Sequence, residues 1–299
     1  MYSFGARGRR GSGIVLGLLA VLGFSFTLPL TRLALPSFGA LGLTALRAAI
    51  AGVVAAAILL ASPGRRPTRA ELRGLLVVGL GTVVGFPTFA ALSMGRVNAG
   101  HGAVVVALVP LLTALAGSYL AGERPSSRFW AASLAGTFTV VAFALRRGGG
   151  SLGFADVLLA LGAVSAAVGY AMGGVLAKAL GGTRVTCWSL VVCLPLSVPA
   201  AAWTLRAGPP VAPGTAWVAL GYLALVSQLT AFFAWNRALA TGGIAAVSQT
   251  QLLQCFFTLT ASAVILHERI ESELFGFACL VVACVFVSRL RPKPKGVPA

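Results

Sequence analysis

Ten apolar runs, each long enough to cross a bilayer, follow one another along this chain. A helix needs about 20 apolar residues to span the hydrocarbon core. Inside lipid, only helices and closed barrels satisfy every backbone polar group. Reading from break to break gives runs at 14–34, 41–61, 74–93, 102–121, 129–145, 155–178, 186–205, 215–235, 244–266 and 274–290. The breaks are charge clusters or Pro/Gly stretches. Composition agrees. Charged residues make up 10% of the 299, hydrophobic ones 58%, and the mean hydropathy is +0.93. A soluble domain carries about 25% charged residues. These values exclude an ordinary soluble enzyme, a disordered tail and a disulfide-stapled secreted domain. The fold class they predict is an all-α polytopic membrane protein of ten transmembrane helices.

The second half repeats the first. A shift of 145 positions lays the first five runs on the last five. Under that shift Glu123-Arg124 falls on Glu268-Arg269, Gly17 on Gly162, Thr113 on Thr258 and Arg146 on Arg291. Five is odd, so a second five-helix unit enters the membrane from the opposite side. The expected domains are therefore two inverted repeats, 1–148 and 149–299, an architecture that places a substrate site at the repeat interface.

The net charge of +17 follows from 23 basic and 6 acidic residues. With the N-terminus inside, sixteen of the 23 bases fall on inner segments and six on outer ones. That bias places both termini in the cytoplasm. The bases sit at run ends without interleaved aromatics, so no nucleic-acid partner is expected. Arg7, Arg9 and Arg10 precede the first run as in a secretory signal. The run's length and its nine successors make it a first span rather than a removed peptide. Only three bases are lysines, and the chain is rich in Ala and Gly, which suggests a GC-rich bacterial source and the cytoplasmic (inner) membrane. The five cysteines all lie inside apolar runs and read as small hydrophobes. Neither a metal site nor a cofactor motif is present: HERIE at His267 is not HExxH, and there is no P-loop.

Two segments ending in a glutamate, PLLTALAGSYLAGERP (Pro110–Pro125) and CFFTLTASAVILHERI (Cys255–Ile270), carry a resemblance. With the two halves around them, the chain resembles the drug/metabolite transporter superfamily and, within it, the ten-helix EamA-type family of bacterial metabolite exporters. Arg47 stands in the second run where such families often have an arginine. The proline usual in the fourth helix is here as Pro110, whereas its repeat counterpart is Cys255. The resemblance implies ten helices, with the fifth and tenth outside the ring that encloses the cavity. It also makes export of amino acids, aromatic ones included, the leading expectation for substrate. Drug or other metabolite export and proton-coupled antiport are the alternatives.

Polar groups are costly in hydrocarbon and tend to face the bundle interior or a wet cavity. In the ninth run Val247, Gln251, Gln254 and Thr258 share one helical face. Two glutamines there can donate and accept at once, which suits a zwitterion. Gln228 lies at the middle of the eighth run and Trp235 further along it. Ser25, Phe86 and Tyr170 offer aromatic surface or a polar tip. His101 lies at the outer end of the fourth run. These nine residues, Ser25, Phe86, His101, Tyr170, Gln228, Trp235, Gln251, Gln254 and Thr258, form the expected substrate cavity. Pro29, Pro87 and Pro110 are the expected hinges, because proline frees backbone groups and bends helices. Arg47, the one base well inside a run, is expected to bond backbone carbonyls or cap a helix end, the alternative being that it draws a carboxylate into the vestibule. Glu123 and Glu268 are expected to pair locally with Arg124 and Arg269.

No acid lies deep in a run. A proton-coupled cation exporter needs such a carboxylate, so an uncharged or zwitterionic substrate is expected, moved by alternating access. A nucleophile–base pair is also lacking, which argues against an enzyme. The expected partners are a small-molecule substrate and the lipid bilayer, with no obligatory protein partner and a monomeric state.

Overall fold

The structure is a computed structural model. It describes residues 3–127 and 153–269 (207 and 209 apart), together with isolated positions in 130–142 and 272–283. Side chains are described from Ser12 onward. The expected fifth and tenth runs, 129–145 and 274–290, lie outside the described residues save for those isolated positions.

Among the described residues eight helices are long and apolar enough to cross a membrane. They are α1 (Ser12–Phe38), α2 (Ala40–Ala61), α3 (Arg69–Met94), α4 (Ala99–Ala121), α5 (Phe154–Leu180), α6 (Gly182–Thr204), α7 (Gly214–Gly242) and α8 (Ile244–Leu266). They coincide with runs one to four and six to nine of the sequence. The charged break between α2 and α3 closes on a capping box: Thr68 accepts from the Glu71 amide, Glu71 accepts from the Thr68 amide, and Arg65 grips Glu71 at 2.6 Å.

Each helix of the first half packs on the second half. α1 lies on α7, α2 on α6, α3 on α5 and α4 on α8, and α4 also meets α5 as α8 meets α1. Exchanging the halves leaves this pattern unchanged. The main hydrophobic core, around Phe24, Tyr170, Phe232 and Trp235, therefore sits between the halves. Small residues permit the approach. A Cβ at Gly81 would lie 2.6 Å from the Ser165 carbonyl, and one at Gly169 would lie 2.6 Å from the Thr82 methyl. This is the close packing that small-xxx-small spacing allows in membranes.

Several helices are broken in the plane of that interface. α3 carries a π-helical segment at Gly79–Gly85 and α7 a matching one at Leu223–Thr230. α4 turns at Ala107 and Leu108, and α8 tightens to a 3-10 turn at Gln249–Gln251. α1 breaks at Phe26. The three predicted hinge prolines lie within a few residues of these breaks. Proline has no N–H, so a carbonyl loses its helical partner. In α register Pro29 leaves the Ser25 carbonyl free, and the Thr258 hydroxyl donates to it at 2.9 Å. In π register Pro87 leaves the Thr82 carbonyl free, and Gln228 Nε2 donates to it at 3.0 Å. Each carbonyl of the first half is thus covered by a side chain of the second, as a buried backbone group requires.

Candidate substrate cavity

The broken segments of both halves converge on one small, partly open cavity of about 20 Å³, room for about one water molecule. α1 contributes Phe24 and Thr27, α2 Arg47, and α3 Thr82, Phe86 and Pro87. Val106 and Val109 come from α4, and Tyr170 from α5. Ser227, Gln228 and Phe232 come from α7, and Gln251 and Gln254 from α8. A second cavity of about 10 Å³ adjoins it through Val106, Val109, Gln251 and Gln254, and reaches Cys255 and Thr258.

Of the nine residues expected to line a cavity, Phe86, Tyr170, Gln228, Gln251 and Gln254 line the first, and Thr258 the second. Three are placed elsewhere. Ser25 is fully buried and donates to the Val21 carbonyl of its own helix at 2.6 Å. Hydroxyls in helices commonly make this back-bond. Trp235 is fully buried and lines neither cavity. It packs edge-on to Phe24 and Tyr170, just behind the rings that form the wall. His101 lies in the first turn of α4, 2.6 Å from Asp156 in the first turn of α5. A helix start attracts a carboxylate, and the pair forms because two helices begin side by side.

Arg47, expected to serve a backbone carbonyl or else to draw a carboxylate into the vestibule, lines the cavity. It is 4% exposed. Its Nη2 lies 3.5 Å from the Ser227 hydroxyl, which also bonds Thr27 at 2.7 Å, and its Nε has no hydrogen-bond partner. The lining contains no carboxylate. Two buried acceptors there are also unpartnered, Gln228 Oε1 and Gln251 Oε1. The Gln228 amide is oriented by its bond to Thr82, so its oxygen is the free end. Sequence reasoning missed Thr27 and Thr82 as lining and placed Arg47 there only as its alternative. The available signal for Arg47 was that it is the only base well inside a run.

Both ends of the α4–α8 pair are clamped by glutamates. Glu123, just beyond α4, accepts from the amides of Ile244 and Ala245, the first residues of α8, both at 2.8 Å. Glu268, just beyond α8, accepts from the amides of Ala99 and Gly100, the first residues of α4, at 3.0 and 3.1 Å. The expectation of local pairing with Arg124 and Arg269 is thereby overturned. Helix N-termini expose unsatisfied N–H groups and a partial positive charge, which a carboxylate satisfies. The chain reaches each clamp through a left-handed residue, Gly122 at φ 66° and His267 at φ 55°. Clamps and left-handed residues are all 145 positions apart, the repeat offset read from the sequence.

Comparison with known proteins agrees with this arrangement. Residues 11–145 and, separately, 153–290 match the EamA-like transporter family. The chain is 42% identical over 284 residues to the uncharacterized transporter YdeK of Bacillus subtilis (strain 168), covering 93% of this chain and 97% of that protein. A protein of known crystal structure, 25% identical, superposes with a TM-score of 0.66 over 94% of this chain and 97% of its own.

Proposed function

This chain belongs to the EamA-like transporter family, and from that premise we propose that it is a permease of the bacterial inner membrane that exports neutral or zwitterionic small molecules, amino acids foremost. One observation carries the reading. The cavity lies between the two halves, is walled by aromatics and uncharged polar groups beside Arg47, and contains no carboxylate. Such a wall suits a solute with an apolar body and a small, hydrogen-bonding head. It lacks the acid that exchange of a proton for a cation requires.

Both termini are cytoplasmic in this reading, and the first four helices of each of two inverted five-helix repeats enclose the path. Transport proceeds by alternating access. In each half the fourth helix is clamped to its counterpart at both ends, so opening toward one face breaks one glutamate clamp while the other holds. The broken helices supply the bending points, with Pro29, Pro87 and Pro110 beside them.

Uptake of radiolabelled amino acids into liposomes carrying the purified protein, with and without a pH gradient, tests the proposal. Saturable uptake indifferent to the gradient is the expected result. Uptake that requires the gradient would replace facilitated transport by proton coupling. No uptake of any amino acid would overturn the substrate assignment and favour export of drugs or other metabolites.

A further inference from the structure

Arg47 poses a problem that the cavity alone does not solve. A guanidinium removed from water is costly unless an anion and hydrogen bonds compensate it. Here it has one long contact to a hydroxyl, a free Nε and no acid on the cavity wall. On the same wall Gln228 Oε1 and Gln251 Oε1 are acceptors without donors. A buried polar atom left unpaired costs about as much as a lost hydrogen bond. The cavity therefore holds one unmatched cation and two unmatched acceptors, with Phe24, Phe86 and Phe232 around them.

Resting on the permease reading, we infer that Arg47 is the carboxylate anchor of the substrate site, that Gln228 and Gln251 receive an ammonium group, and that the rings receive a bulky apolar substituent. An α-amino acid with a ring-sized side chain completes all three sets at once when the halves part to admit it, since the free space between them is about 20 Å³. Its carboxylate accepts from the guanidinium, and its ammonium donates to the two amide oxygens. Amines without a carboxylate meet Arg47 as a like charge and are rejected. Carboxylates without an amine keep the anchor and lose only the amide contacts. Arginine suits the task because its planar fork can hold both oxygens of a carboxylate, which lysine cannot reproduce.

The test uses four probes of common shape: L-phenylalanine, 3-phenylpropionate, phenethylamine and phenylalaninamide. Binding to the purified full chain is read from thermal stabilisation in detergent, and transport from liposome uptake. Phenylalanine should bind best and 3-phenylpropionate about tenfold more weakly. The two compounds lacking a carboxylate should be weaker by about a hundredfold, the equivalent of losing a charge-assisted pair. Arg47→Gln should weaken binding of both carboxylates by at least about tenfold, and Arg47→Lys should restore part of it. If those variants fail to insert, the probe series on the unchanged protein still decides. Equal binding of phenethylamine or phenylalaninamide would overturn the anchor, as would failure of both carboxylates to bind. Carboxylate binding without uptake would leave the anchor standing and remove the permease reading. Uptake blind to the carboxylate would do the reverse.

Discussion

The Glu123 and Glu268 ends of the α4–α8 pair are built on one plan and finished differently. At each end a carboxylate from beyond one helix covers the first two amides of the other, with contacts of 2.8 Å at Glu123 and 3.0 and 3.1 Å at Glu268. Among the described residues the Glu123 end adds no ion pair to its clamp. The Glu268 end adds one. Arg32 Nε lies 3.6 Å from Glu268, and the same guanidinium donates to the Val97 carbonyl in the turn ahead of α4. Beside them His101 and Asp156 join α4 to α5. Backbone geometry has thus been kept through the repeat while the electrostatics have diverged. In the proposed transport cycle the two clamps are alternate gates. Unequal gates give the carrier a preferred closed side, and the more heavily bonded outer end is expected to be that side.

Removing the clamps is the strongest way to break the comparison. Glu123→Ala or Glu268→Ala leaves two helix-start amides without a carboxylate, a loss of about 3 kcal/mol from the closed end affected. Access can be read at Cys255, which lines the second cavity and is 3% exposed, with the other four cysteines changed to serine. Maleimide labelling should rise from the cytoplasmic face in Glu123→Ala and from the opposite face in Glu268→Ala. Labelling that rises from the same face in both variants would show that the clamps are not separate gates.

The His101–Asp156 pair offers a smaller and one-sided lever. Both side chains are largely buried, at 12% and 10% exposure. Asp156 keeps its bond from the Gly153 amide when the histidine is removed, so His101→Ala should weaken the outer closure by about 1–2 kcal/mol. Cys255 labelling should then rise about tenfold from the outer face and stay unchanged from the cytoplasmic face. A change on the cytoplasmic side would mean that the pair serves general stability and not one gate.

Sequence and structure divide along a physical line. Hydropathy is local, so eight runs were legible to within about seven residues at their ends, and the offset of 145 was visible in the sequence alone. The polar positions Gln228, Gln251 and Gln254 were legible because an amide in hydrocarbon needs a reason to be there. Their neighbours were less so. Thr27, Thr82 and Ser25 look alike in sequence, since a helical hydroxyl can always bond its own preceding turn. Only the packing decides which of them meets the cavity. The glutamate clamps were illegible for a different reason. Their donors are backbone amides 121 to 169 positions away. Backbone groups have no sequence signature, whereas the adjacent arginines offered an obvious partner. The jobs of Thr258 and Gln228 were hidden likewise, because a proline announces a freed carbonyl without saying what will cover it.

The finest contrast between the two ends is one residue, Gly122 against His267. Both are left-handed and both begin the turn that delivers the clamp. Each is followed by its glutamate, whose own amide returns to a carbonyl of the preceding helix, Gly117 at one end and Ser262 at the other. Glycine enters this region freely, whereas a side chain pays for it. No atom lies within 4 Å of a Cβ placed on Gly122, so Gly122→Ala isolates the backbone cost from any clash. It should destabilise the purified protein by about 1 kcal/mol. His267→Gly should do the opposite and raise stability by a few tenths to about 1 kcal/mol, because the strain at φ 55° disappears. Thermal unfolding of the two variants in one detergent reads both signs. If His267→Gly lowers the melting temperature instead, the imidazole contributes at the Glu268 end beyond its backbone, and a further difference between the two clamps would then be located in that side chain.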